Sequence, residues 1–181
     1  ILSLILQPTL AIVLVIGWVY LALMTKEFFF AEWLKAHPIT YLWTHMFIMP
    51  LVDLYATACD WSLEGQTMPP KGLLWFLLVS FFNGIVIEIG RKLRAPEDEE
   101  TGVDTYSVLW GRRNASLAWL AALLTGGGFA LVAGSAIHFM LPLMVLLLLF
   151  YSVCALCAFR YVSNPTTPRA KFLETLSGIW V

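Results

Sequence analysis

The sequence predicts an all-α protein, a polytopic transmembrane helical bundle, and three observations predict it. Hydrophobic residues make up 60% of the 181 residues, with a mean hydropathy of +0.79. Charged residues reach only 13%, about half of the ~25% usual in a soluble domain. The apolar text also divides into windows near the ~20 residues that a helix needs to cross a hydrocarbon core about 30 Å thick. None of these windows alternates with the period of two that barrel strands require.

Five windows have this length, at about 4–24, 39–59, 72–90, 115–135 and 138–160. The chain opens on Ile1 inside an apolar run, without the basic flank of a signal peptide, and closes on GIWV as a further span starts at about 170–181. Residues 1–181 are therefore expected to form one transmembrane domain, a fragment of a larger bundle. The first window is uniformly apolar, and the loop TKEFFFAEWLKAHP, 25–38, follows it. The second and third windows carry polar groups at membrane depth: Asp53 with His45 two turns earlier, and Asn83 with Glu88 near the window's end. An ionisable group there is costly and faces a protein interior or a water-filled cavity. Asp53 thus has two readings, a cavity role linked to substrate or protons and a helix-to-helix hydrogen bond. His45 is read as an interhelical partner ahead of a ligand or base.

The fourth and fifth windows read as structural. The run 118–122 is Ala-rich and GGG occupies 126–128, small surfaces on which membrane helices approach closely. The short GSAIH turn, 134–138, makes the two windows an antiparallel hairpin, and SNPTTPR, 163–169, is a Pro-punctuated connector. Cys59, Cys154 and Cys157 all sit in apolar windows and read as small packing residues despite the CxxC spacing of the last two. No internal repeat stands out.

Lys and Arg collect on the cytoplasmic side of membrane helices. The loops after the first, third and fifth windows hold Lys26, Lys35, Arg91, Lys92, Arg94, Arg112, Arg113, Arg160, Arg169 and Lys171, ten of the eleven bases, and Lys71 alone falls on the other side. These loops are expected to be cytoplasmic. The partner implied is the lipid bilayer, with no nucleic acid.

The densest of the loops holds six acids and five bases between Glu88 and Arg113. Glu88 has Arg91 and Lys92 at i+3 and i+4, on one helix face, and Ala95-Pro96 ends the helix because proline pushes its predecessor out of helical geometry. EDEETGVD follows, with Gly102 turning the chain toward TYSVLWG. Carboxylates and bases together suit a diphosphate, since Mg2+ takes carboxylate, water and phosphate oxygens and Lys or Arg neutralises the remaining charge. On charge alone a solvated interfacial loop explains the stretch equally well.

Pattern favours the first reading. Gly102-Val-Asp-Thr105-Tyr-Ser-Val108-Leu-Trp-Gly111 follows G-x-x-T-x-x-V-x-x-G, with Asp98 four residues before the glycine. This resembles the second acidic motif of the UbiA superfamily of intramembrane prenyltransferases, in which a D-x-x-x-D precedes that pattern. Arg94 stands where the family places the partner aspartate, and Arg91 at another commonly acidic position. The first acidic motif, N-D-x-x-D, is absent from these residues, and the resemblance puts it before Ile1. Bacterial proteins assigned to the superfamily carry similar EIGRK-R-APEDEE-GV-TYS-LWG segments.

The resemblance implies that these windows are the fourth to eighth of a nine-helix fold in the bacterial inner (plasma) membrane. It also implies transfer of an isoprenoid chain from a prenyl diphosphate to a small acceptor, an aromatic ring or similar nucleophile, assisted by Mg2+. Asp98, Glu88 and Glu97 would be metal ligands, and Lys26, Arg91, Lys92 and Arg94 would hold the diphosphate. Either the glutamates replace the missing acids, or the diphosphate is held more by direct cation contact. Asn83, Asp53 and His45 would line the substrate cavity. Two rival readings are a superfamily member without catalysis and a membrane transporter or lipid-binding module, though no inverted repeat of the carrier kind is visible.

Overall fold

A computed structural model describes residues 8–62 and 68–181. Every described element is helical, and the chain divides into two compact units, 1–81 and 82–181.

In the first unit, α1 (Pro8–Thr25) is followed by a 3-10 turn (Glu27–Phe29), α2 (Ala31–Ala36), α3 (Pro38–Met46) and α4 (Ile48–Trp61). Leu73–Phe81 begin the long helix α5 (Leu73–Arg91), which continues into the second unit. α1 packs on α4, and the Tyr20 hydroxyl donates to the Thr44 carbonyl at 2.6 Å. The second predicted window is not one helix but two, of 9 and 14 residues. Pro50 accounts for the break, because it has no N–H for the Met46 carbonyl and its ring crowds that carbonyl. Neither piece alone reaches the ~20 residues of a spanning helix.

The 3-10 turn is strained. Glu27, Phe28 and Phe29 have φ of 49°, 52° and 63°, a left-handed run that costs side-chain-bearing residues about 1–2 kcal/mol each. The Phe28 ring lies edge-on to Tyr20 at 5.4 Å and to His45 at 6.2 Å.

In the second unit, α5 ends at Arg91, and a 3-10 turn (Pro96–Asp98), α6 (Tyr106–Leu109), α7 (Gly111–Ser135), α8 (Met140–Ser163) and α9 (Thr167–Trp180) follow. α5, α7 and α8 are long and apolar enough to cross a membrane, so the chain is an all-α protein with three such helices among the described residues. α7 and α8 form the expected hairpin, packed closely at Gly134, where a Cβ would stand 3.0 Å from Leu143 Cδ2. Gly126 and Gly127 do face neighbours, Phe82 and Trp180, while Gly128 faces open space. Trp119, Cys154, Tyr161 and Leu173 are fully buried here with Val86 and Ile89. Gly90 is the tightest point: a Cβ would fall on Ser177 Oγ, the acceptor of the Trp119 Nε1 hydrogen bond at 2.9 Å.

Candidate functional site at the charged end of the second unit

The segment between α5 and α7 takes its course from a few residues. Ala95 is extended (φ −73°, ψ 159°), as the residue before a proline must be, and Pro96 opens the 3-10 turn. Gly102 and Gly111 have φ of 85° and 76°, values that glycine alone adopts without cost. Thr105 caps α6, its Oγ1 accepting from the Val108 N–H at 3.3 Å. The fixed positions of the G-x-x-T-x-x-V-x-x-G pattern are thus two left-handed turns and a helix cap, with the Val108 side chain 58% exposed.

Glu88 is buried at the end of α5, and its two oxygens are taken by Arg91 at 2.6 Å and Lys92 at 2.9 Å. The spacing of three and four residues places both cations on its face. Lys92 also lies over the Tyr106 ring, 5.4 Å from its centroid.

Arg94 is held by its main chain. Its N–H donates to Ser107 Oγ at 2.8 Å, Ser107 meets the Tyr161 hydroxyl at 3.2 Å, and Tyr161 donates to the Arg94 carbonyl at 2.6 Å. Tyr161 has one proton and gives it to that carbonyl, so in the contact between the hydroxyls Ser107 is the donor, its proton also within reach of the Lys92 carbonyl at 3.5 Å. The three bonds close a ring that starts and ends on Arg94, an arrangement in which each bond polarises the next. Arg112 Nε adds a fourth bond to the same carbonyl at 3.2 Å. Farther along the loop, Glu97 Oε1 accepts from the Thr167 N–H at 3.1 Å and the Thr167 hydroxyl at 3.2 Å, which joins the 3-10 turn to the start of α9. Hydrogen bonds from its own backbone N–H and from Thr167 hold the Glu97 carboxyl below its usual pKa.

This pinning leaves a cleft of about 480 Å³, lined among others by Arg91, Arg94, Asp98, Glu99, Glu100 and Lys171. The Arg94 guanidinium reaches the Asp98 carbonyl at 3.3 Å and Glu100 Oε1 at 3.4 Å. Glu99 is 15% exposed; its Oε2 accepts from Thr105 Oγ1 at 2.6 Å, while buried Oε1 has no hydrogen bond, with Arg112 at the edge of ion-pair range, 3.6 Å away. Five acids and three bases line the cleft in all. That excess of negative charge opposes a bare diphosphate and suits a hard divalent cation. Mg2+ is usually held by only one or two carboxylates, with water and phosphate oxygens completing its shell. Among the described residues, however, no three His, Cys, Asp or Glu side chains gather as a ligand group.

Of the residues that the sequence singles out, the cleft brings together Arg91, Arg94, Glu97 and Asp98. Glu88 and Lys92 are not among its lining residues and face each other instead. Asn83 Oδ1 accepts from Trp180 Nε1 at 2.9 Å, tying α5 to α9. Lys26, exposed beside the strained turn, His45 and Asp53 belong to the first unit. His45 stacks on Tyr41 of its own helix with ring centroids 3.9 Å apart and has Nε2 3.4 Å from Glu27 Oε2 in the 3-10 turn. Asp53 lines an open recess of about 510 Å³ with Thr57, Asp60, Trp61 and Phe76.

Sequence reasoning missed Glu99, Ser107, Arg112, Tyr161 and Lys171. Thr105 held the one signal for Glu99, a small hydroxyl at the start of a helix with acids just upstream. Tyr161 gave none, since its contact with Arg94 crosses 67 residues. No family model, curated protein or solved structure matches the chain.

Proposed function

We propose that the chain is part of a membrane-embedded prenyltransferase of the UbiA kind, with the charged end of its second unit on the cytoplasmic face binding a prenyl diphosphate. The observation that carries this reading is the ring on Arg94. A loop that only keeps charge in water has no need of tertiary hydrogen bonds, whereas a site for a charged group needs its donors held in place beforehand. Here α6, α7, α8 and α9 all fasten one short segment, and the cleft beside it presents both guanidinium groups and carboxylates.

In this reading Asp98 and Glu99 are the carboxylates that would hold Mg2+ in the cleft, and Arg91, Arg94 and Lys171 would neutralise the diphosphate. Bound Mg2+ would supply charge stabilisation for the leaving diphosphate. Glu88 acts on Arg91 and Lys92, setting the direction of their charge, and Glu97 fixes the loop to α9. Arg94, where the family has an acid, is held rigidly enough to serve as a direct diphosphate contact. The apolar helix faces next to the cleft would exclude water from the prenyl carbon.

The test is transfer of a labelled prenyl diphosphate to a panel of aromatic acceptors by the full-length protein, with Mg2+ titrated. Asp98→Asn is expected to reduce transfer at least tenfold and to weaken the Mg2+ dependence, because the amide keeps the shape and loses the charge. Glu100→Gln is expected to change transfer less than threefold. Equal, mild effects from the two would leave the loop merely solvated. Sidedness is read separately: a reporter fused after Glu100 is expected in the cytoplasm and one after Gly65 outside it, and both on one side would overturn the five-span topology.

A further inference from the structure

The α8–α9 hairpin carries a second recess, of about 380 Å³, lined by Cys157, Arg160, Pro168, Arg169 and Phe172. We infer that it binds the headgroup and upper acyl chain of an anionic phospholipid, an assignment independent of the prenyltransferase reading.

The register of the two helices sorts the lining by depth. α8 contains no charged residue from Met140 to Phe159, so Arg160 is the first charge at its end. Cys157 lies three residues, about one turn, back into the apolar segment. After the 164–166 turn α9 packs back along α8, and Phe172 lies one turn beyond Arg169 in that returning direction. Both guanidinium groups therefore stand at the outer rim, and Cys157 and Phe172 lie a turn deeper on facing helices. Among the described residues no carboxylate lines the recess.

The rim is also built in advance. Arg169 donates to the Arg160 carbonyl and the Asn164 carbonyl, each at 2.8 Å, closing the last turn of α8 and fixing its own guanidinium there. The anion would not sit on the α9 terminus, because the Thr167 N–H is taken by Glu97 and Pro168 has none. Below the rim, α8 keeps only 6% of its apolar window buried, against 50% for α5. Val153, Leu156 and Phe159 are exposed along it, and Phe172 is 49% exposed. A groove with two cations at its mouth, no acid, and an apolar track below is complementary to a phospholipid of net negative headgroup. A zwitterionic headgroup would bring its own cation against both arginines.

The experiment counts lipids retained by the full-length protein after release from vesicles of equal phosphatidylglycerol and phosphatidylcholine, by native mass spectrometry. The protein is expected to retain phosphatidylglycerol in preference. Arg160→Gln removes one rim charge and leaves the carbonyl that Arg169 uses, and it is expected to lower the preference about fivefold. Cys157→Trp fills the groove without touching either arginine and is expected to release the lipid as well. Arg113→Gln, an exposed arginine outside the recess, is expected to change little. Equal losses from Arg160→Gln and Arg113→Gln would reduce the site to a general surface charge. Retention unchanged in Cys157→Trp would place the lipid elsewhere, and either result overturns the assignment.

Discussion

Two charged helix-end segments can be set side by side, the loop after α5 and the turn after α1. The loop has favourable backbone throughout, with glycine at both left-handed positions, Gly102 and Gly111, and its neighbours fasten it through backbone carbonyls and hydroxyls. The turn has the opposite economy. Glu27, Phe28 and Phe29 take left-handed angles without glycine, and their polar anchors are Tyr41, at 3.4 Å from Glu27 Oε1, and His45. His45 Nδ1 faces the Tyr41 carbonyl at 2.9 Å and must carry a proton to bond it. Nε2 is then left to face the Glu27 carboxylate. The loop is held by many bonds, and the turn by few.

The sharpest break in this comparison is Tyr161→Phe. The change opens the ring on Arg94 from across the unit while leaving every charge in place. It is expected to cost about 2 kcal/mol in thermal unfolding, because two hydrogen bonds are lost at once: the Ser107 hydroxyl loses the Tyr161 oxygen and the Arg94 carbonyl keeps only the longer bond from Arg112. The loop amides around 92–98 should exchange with deuterium faster, and Ser107→Ala should add little on top, as members of one network do. Additive losses would mean that the two residues act separately and that no ring exists.

A smaller effect is expected in the turn. His45→Leu keeps bulk against Phe28 but removes both polar contacts, and it is expected to cost about 1 kcal/mol. Glu27→Gln should be nearly silent, since its amide N–H can donate to a neutral Nε2. If Phe28 packing alone holds the left-handed run, His45→Leu will be silent too and Phe28→Ala will carry the loss.

The same contrast explains what the sequence made legible. The all-helical class, the α7–α8 hairpin and the Glu88 pairing follow from composition, a short turn and i+3/i+4 spacing, all local properties. The second window failed because a hydropathy count does not see that Pro50 breaks the ladder to Met46. The charged loop was found from its motif, but that motif encodes turns and a cap. The groups that fix Arg94 come from 13, 18 and 67 residues away. Spacing along the chain carries no record of such contacts. Glu27 escaped notice for the related reason that nothing in EFFF announces a left-handed run.

The mildest prediction concerns Glu97, a clasp of the loop that does depend on protonation. Its own N–H and the Thr167 N–H and hydroxyl all stabilise the ionised carboxylate, which lowers its pKa in the folded protein below the 4.5 of a free glutamate. A carboxyl lowered in this way adds stability that is present in full above its unfolded pKa and is lost as pH falls through the folded value. The clasp should therefore persist through the pH range in which ordinary glutamates titrate and release only below it. The carboxyl is fully exposed, so the global unfolding temperature should hardly move. The signal to follow is the Thr167 amide proton shift in a pH titration, compared with Glu97→Gln, whose neutral oxygen still accepts but has no charge to lose. A Thr167 shift that titrates in the ordinary glutamate range, or one that Glu97→Gln leaves unaltered, would separate the 3-10 turn from α9 and leave the ring on Arg94 to hold the loop.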